Sequence, residues 1–310
     1  MKAAVIDMGT NTFHLIIAEL SAAGVKVIYK TNLPVQLGQG RINENIIIPE
    51  AFERGIKALQ GFKQEIDKQQ AEVVRATATS AVRSAANGQD FVNEAADKAG
   101  ITIEVISGDD EAAFIFNAVK ATGLIKQTSL IMDIGGGSTE FIICDAEKGQ
   151  LWKRSYNIGA ARLMQAYFHS DPISAADKNA ILSRLEEELA ELLTACQLYQ
   201  PQLLIGSAGA FETFAAMLLT NVDIKAISSA VFDINEYKLL AEKLILSTHA
   251  ERAAMPDLVA LRVDMIVIAS LITNYVIDLT GLKAISLSTY DLKMGVLYKI
   301  WEDQKFDSAT

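Results

Sequence analysis

Short apolar runs that end in small polar residues recur along this chain, and stretches with apolar residues every three or four positions lie between them. Two of these runs superpose without a gap. Ala4-Val5-Ile6-Asp7-Met8-Gly9-Thr10-Asn11-Thr12-Phe13-His14-Leu15-Ile16-Ile17 aligns with Leu130-Ile131-Met132-Asp133-Ile134-Gly135-Gly136-Gly137-Ser138-Thr139-Glu140-Phe141-Ile142-Ile143, at a constant offset of 133 − 7 = 126 residues. Each copy predicts an apolar strand ending in aspartate, a turn of Gly, Ser, Thr and Asn, and a second apolar strand, which together make a β-hairpin. Glycines that serve only a positive φ would explain the turns, but not an aspartate at the same strand end in both copies.

Further strands are predicted at 25–29, 72–76, 102–106, 151–156, 202–205 and 284–287. Helices are predicted at 49–69, opened by Pro49, and at 80–86, 90–99, 109–122, 175–198, 210–219, 257–279 and 292–301. In the 175–198 helix, Ile181, Leu182, Leu185, Leu189, Leu192, Leu193 and Cys196 form a core stripe, and its glutamates form a solvated face. Strands alternating with helices in two similar halves predict an α/β protein with a crevice between two domains, 1–123 and 124–310. The terminal helix is free to return to the first.

Length and composition agree with this division. The chain has 310 residues, half of them hydrophobic and 21% charged, which suits two packed domains rather than a disordered chain. Asp7 arrives before a leader core could form, and the longest apolar stretch, 263–277, is broken by Asp264 and Asn274, so no membrane span is expected. Cys144 and Cys196 have no redox or metal spacing, nor do His14, His169 and His249; reduced thiols in the cytoplasm are expected. The net charge of −10 argues against nucleic acid and anionic membrane as partners. It leaves room for a small anionic substrate, because screening over about 8–10 Å lets a local set of arginines and a metal decide binding.

The candidate chemistry gathers at the turns. Asp7 and Asp133, facing one another across the crevice, could share one Mg²⁺, an ion that takes one or two carboxylates plus phosphate oxygens. The N–H groups of Gly9, Thr10, Asn11 and Thr12, and of Gly135, Gly136, Gly137 and Ser138, would cradle phosphate. Glu111, in Ser107-Gly108-Asp109-Asp110-Glu111-Ala112, is a candidate to orient a water, although acids in a first helical turn also offset the helix dipole. Glu140 either reaches metal or water or faces outward from its strand. Arg83 and Arg162 each enter a helix after a small-residue turn, a position suited to phosphate. Gly206-Ser207-Ala208-Gly209 either approaches the phosphates or is a close-packed connection.

With these residues in place the chain resembles the exopolyphosphatase / guanosine pentaphosphate phosphohydrolase family, in its short two-domain form, within the actin and hexokinase superfamily. The motifs run in order through Val5–Phe13, Ala78-Thr79-Ser80-Ala81-Val82-Arg83, Ser107–Ala112, Asp133–Glu140, Gly159-Ala160-Ala161-Arg162-Leu163 and Gly206–Gly209, with weaker echoes in Arg262-Val263-Asp264 and Asp291-Leu292-Lys293-Met294-Gly295. The resemblance implies two actin-like, ribonuclease H-like domains and Mg²⁺, with Mn²⁺ as a substitute. It implies inorganic polyphosphate or guanosine pentaphosphate as substrate, and a homodimer. It also implies Glu111 as catalytic base, Asp133 and Glu140 in metal binding and catalysis, and Asp7, Asn11, Ser138 and Arg83 at phosphate or metal, with Thr139, Gly206, Ser207 and Gly209 beside them. Two places depart from the family pattern: Ala113-Phe114 follow the Glu-Ala step where an arginine is common, and Lys293-Met294 replace Arg-Glu. The chain stops near residue 310, short of the helical C-terminal domain of long members, which implies a preference for short polymers. An ATP-dependent small-molecule kinase on the same fold and a non-catalytic phosphate sensor are the alternatives from other classes.

Overall fold

The computed structural model describes residues Met1–Gln304 as two compact units. The first is Met1–Ala118 together with residues 292–304; the second is Val119–Asp291. The first contains β1 (Lys2–Met8), β2 (Phe13–Ser21), β3 (Gly24–Leu33), α1 (Pro49–Gln69), β4 (Val73–Ala78), α2 (Ser80–Ser84), α3 (Gly88–Ala99), β5 (Ile103–Val105) and most of α4 (Gly108–Ala121). The second contains β6 (Ser129–Ile134), β7 (Thr139–Asp145), β8 (Gly149–Tyr156), α5 (Ala160–Tyr167), α6 (Ala175–Glu188), α7 (Ala190–Tyr199), β9 (Leu203–Ser207), α8 (Ala208–Leu218), β10 (Ser229–Phe232), α9 (Ile234–Leu246), α10 (His249–Ala253), α11 (Met265–Thr280) and β11 (Ile285–Ser288). The last helix, α12 (Leu292–Asp303), packs on β1 and β2.

The first sheet runs β3-β2-β1-β4-β5, antiparallel from β3 to β1 and parallel from β1 to β5. The second repeats this order as β8-β7-β6-β9-β11, with β10 added antiparallel at the far edge. Two sheets with this strand order, flanked by helices, are two ribonuclease H-like domains of the actin type. The hairpins of the internal repeat are their first two strands, and they pair in equivalent registers: Asp7 opposite His14, and Asp133 opposite Glu140. β1 and β6 are the central strands. They bury both faces, which is why they read as unbroken apolar runs.

In α1, Pro49 occupies the first turn, and Gln70 ends the helix in the left-handed region, its N–H bonding Asp67 O and Ile66 O. Ile56, Leu59, Phe62 and Ile66 of α1 enter the core of the first unit. Gly295 of α12 lies so close to the Phe114 carbonyl of α4 that a Cβ there would collide with it. The glycine of Lys293-Met294-Gly295 is therefore a packing requirement. The Phe114 ring in turn lies under the Arg75 guanidinium, 5.2 Å from its carbon, and Arg75 is bonded to both oxygens of Glu104 at 3.0 and 3.2 Å.

Two long predicted helices are shorter in the structure. The 175–198 stretch divides at Leu189 (φ −96°, ψ 13°), so α6 packs on α5 and α11 and α7 on β7 and β8 as separate rods, while Leu189 stays in the core with Ile181, Leu185 and Leu192. The 257–279 stretch is helical only from Met265. Asp257 has φ +64°, Val259 is extended, and a single 3₁₀ turn at Ala260–Arg262 precedes α11. Apolar periodicity did not mark these breaks, since buried apolar residues continue across both, Leu185, Leu189 and Leu192 at the first and Leu258, Val263 and Ile266 at the second. β10 and α9 are elements that the pattern did not predict. Both cysteines are buried, and burial pushes each thiol up to about 12, leaving it protonated at neutral pH. Among the described residues no helix is long and apolar enough to cross a membrane.

Candidate active site

The second hairpin turn is held from one side. Ala160 N–H donates to Gly135 O at 2.9 Å, and those of Ala161 and Arg162 donate to Gly136 O at 2.9 and 3.1 Å. The Arg162 Nε donates to Gly137 O at 3.1 Å. In a trans peptide the carbonyl and the following N–H point in opposite directions. With the carbonyls of Gly135, Gly136 and Gly137 turned toward α5, the N–H groups of Gly136, Gly137 and Ser138 point away from it, as an anion cradle requires. None of the three glycines has a positive φ. Their smallness serves approach instead: a Cβ on Gly159 would come within 2.5 Å of the Gly136 and Gly137 backbone. Since neither backbone can yield, Gly159→Ala is expected to cost about 3 kcal/mol and to displace the turn, readable as a fall in Tm with loss of phosphate binding.

The first turn is braced in the same sense by a different segment. Gly38 N–H donates to Thr10 O at 3.1 Å and Gln36 N–H to Asn11 O at 2.8 Å. The N–H groups of Asn11 and Thr12 thus face away from residues 36–38. Gly9 N–H closes its turn on Thr12 O at 3.1 Å, and Gly135 N–H does so on Ser138 O at 3.0 Å. The role of residues 36–38 was not visible in the sequence, because the contact joins residues whose spacing carries no pattern.

Carboxylates flank both turns. Asp133 and Glu140 are directly opposite on β6 and β7, so their side chains share one face, and both are buried. The Ser207 Oγ donates to Asp133 Oδ2 at 2.9 Å, and the Ser155 Oγ donates to Glu140 Oε1 at 2.7 Å. Two buried carboxylates side by side form an oxygen donor set suited to a hard divalent cation such as Mg²⁺. Asp7, also buried, stands opposite His14 instead, so the first hairpin lacks this like-charge pair. Among the described residues no group of three or more His, Cys, Asp and Glu side chains converges as a metal cage. Glu140 does not face outward, and Ser155, which secures it, was missed by the sequence analysis although it is the register partner of Glu140 on β8.

Glu111 is buried in the first turn of α4. Its Oε2 accepts from Arg83 Nη1 at 3.0 Å, and the same nitrogen reaches Ile106 O at 3.0 Å. Arg83 therefore fixes Glu111 relative to the end of β5. The neighbouring acids do other work: Asp110 accepts from the Ser107 hydroxyl at 2.6 Å and closes the helix start.

In Gly206-Ser207-Ala208-Gly209, Phe211 occupies the space of a Gly206 Cβ and the Arg262 guanidinium that of a Gly209 Cβ. Both glycines are required by packing. Arg262 thereby joins Gly209, with the carboxylates of Glu212 and Asp133 near enough to influence it. Burial lowers the proton affinity of its guanidinium, and the two carboxylates oppose that shift. Arg162 is likewise shifted down by burial. The only sequence signal for Arg262 was the weak Arg262-Val263-Asp264 echo.

Residues 16–304 match the Ppx/GppA phosphatase family. The chain belongs to that family. The crystal structure of an exopolyphosphatase from Cytophaga hutchinsonii aligns with a TM-score of 0.94 at 35% identity, covering 99% of this chain and 100% of that one. Exopolyphosphatase 2 of Mycobacterium tuberculosis is 28% identical over 311 residues, which are 95% of this chain and 97% of that protein. The guanosine-5'-triphosphate,3'-diphosphate pyrophosphatase of Vibrio vulnificus is 26% identical over 304 residues, 98% of this chain but 60% of that longer protein. The family resemblance first carried by the hairpins and the Glu111 motif therefore extends over almost the whole chain.

Proposed function

We propose that this protein is an exopolyphosphatase that hydrolyses the terminal phosphate of inorganic polyphosphate with Mg²⁺. The observation that carries the reading is likeness to exopolyphosphatases over essentially the full length of both partners. In this proposal the outward N–H groups of Gly136, Gly137 and Ser138, and those of Asn11 and Thr12, bind phosphate oxygens. Gly9, Thr10, Gly135, Thr139, Gly206, Ser207 and Gly209 shape the turns and strand ends around them. Arg162 braces the second turn, and Arg83 holds Glu111 in place and adds positive charge. Asp133 and Glu140 of the second unit would hold Mg²⁺, with Mn²⁺ as substitute, and Asp7 is the equivalent metal-binding carboxylate of the first unit; the ion would neutralise phosphate charge. Glu111 orients the attacking water and accepts its proton. Such an inventory suits phosphoryl transfer, which needs positioning and charge neutralisation above all. Family membership suggests a cytoplasmic homodimer as the setting.

The alternative within the family is guanosine pentaphosphate as substrate, supported by the relatives with that activity in their names. Phosphate release with Mg²⁺ from short polyphosphate, long polyphosphate and guanosine pentaphosphate, measured side by side, separates the two. Polyphosphate is expected to give the higher kcat/KM. Faster release from guanosine pentaphosphate would transfer the assignment, and no release without an acceptor molecule would point to a kinase.

A further inference from the structure

We infer that Arg252 is a positioning residue for the anion site of the second unit and that it acts through Arg262. The inference rests on the reading of that site as one that binds a phosphate chain. Arg252 lies in α10 with its side chain completely buried. Its guanidinium joins four segments of this unit. Nε donates to Val263 O at 2.6 Å, Nη1 donates to Ser247 O at the end of α9, and Nη2 reaches Asp264 Oδ1 at 3.2 Å and Asp171 Oδ1 at 3.4 Å. The Phe168 ring lies 5.9 Å from its carbon. His249, three residues earlier, doubles the clasp: its N–H donates to Asp171, and its Nδ1 is 2.7 Å from Asp264 Oδ1.

The clasp closes on the junction between the 3₁₀ turn and α11. That junction contains Val263 and Asp264, and Arg262 is the residue just before it. Residues 257–264 form one 3₁₀ turn, closed by Arg262 N–H on Val259 O at 2.8 Å, in place of the regular helix that their sequence predicts, so the direction in which Arg262 leaves the chain draws on tertiary fixation as well. The guanidinium of Arg252 supplies that fixation by holding the carbonyl of Val263 and the carboxylate of Asp264 together. Arg262 then lies against Gly209, with Asp133 and Glu212 nearby. Burying an arginine among carboxylates is a weak device for stability alone, because well-packed apolar residues often do as well. A rigid fork that sets the geometry of a second arginine accounts for the choice, and lysine cannot reproduce it.

The test is a double-mutant cycle on Arg252→Lys and Arg262→Gln. With tripolyphosphate as substrate, Arg252→Lys is expected to raise KM about tenfold with kcat within about twofold, the signature of weakened uniform binding. In the Arg262→Gln background the same change should shift KM by less than about twofold, since the group it positions is gone. Equal KM factors in the two backgrounds would overturn the inference, as would a lowered Tm with unchanged KM. Should Arg252→Lys fail to fold, Asp171→Asn, which loosens the clasp from its exposed side, replaces it in the cycle with the same non-additivity expected. Calorimetric binding of pyrophosphate runs the cycle in Kd without turnover. Binding without hydrolysis in the wild type would defeat the functional reading while the cycle still decides the role of Arg252, and absence of binding in the wild type would overturn the inference.

Discussion

Replacement of Glu111 by glutamine is expected to lower kcat about 10²–10⁴-fold, the usual contribution of a general base. Under the proposed mechanism the substitution removes the proton acceptor and little else. Arg83 Nη1 can still donate to the amide oxygen at the place where it now meets Glu111 Oε2, and its bond to Ile106 O is untouched. The end of β5 and the first turn of α4 should keep their geometry, so Tm and calorimetric affinity for tripolyphosphate should stay near wild type. Glu111→Ala would instead leave the partly buried Arg83 guanidinium without its carboxylate and confuse the two effects. Near-normal phosphate release by the glutamine variant would remove Glu111 from the reaction. A large loss of affinity together with kcat would make it a binding residue instead.

The second large effect concerns the Asp133–Glu140 pair. Like charges directly opposite on neighbouring strands are destabilising, and these two carboxylates are also buried. Glu140→Gln keeps an oxygen for the Ser155 hydroxyl and removes one of the charges. In metal-free buffer we therefore expect the variant to be more stable than wild type by about 1 kcal/mol, a rise in Tm of about 2–4 °C. Mg²⁺ should raise the Tm of the wild type and leave that of the variant nearly unchanged, while phosphate release falls at least about 10²-fold. A lower Tm for the variant, or an undiminished response to Mg²⁺, would mean that the pair is held by other contacts and is not a cation site. The contrast between stability gained and activity lost is what a charged site maintained for function should give.

The sequence was most legible where one residue type has one physical reason to be there. The 126-residue repeat placed both hairpins, since an apolar strand ending in aspartate before a turn of small residues keeps its pattern whatever surrounds it. The α1 helix was equally plain, with proline at its start and an apolar stripe of correct period. Glycine was legible as a requirement but not in its cause. The turn glycines suggested positive φ as one reading, whereas Gly159, Gly206, Gly209 and Gly295 are small because a backbone, a ring or a guanidinium occupies the space beside them. Apart from Phe211, five residues from Gly206, those occupants lie far away in sequence.

What the sequence determined by itself is therefore most of the elements, the pairing of the hairpins and the kinds of group at their mouths, because strand and helix periods and turn chemistry act over a few residues. The tertiary structure alone decided the partners: Arg83 on Glu111, Ser155 on Glu140, Ser207 on Asp133, residues 36–38 under the first turn, Arg262 against Gly209. It also decided that residues 257–264 leave the helical path. Partner choice depends on which strands become neighbours and on how closely helices pack, and these follow from burying apolar surface over the whole unit, which no local pattern records.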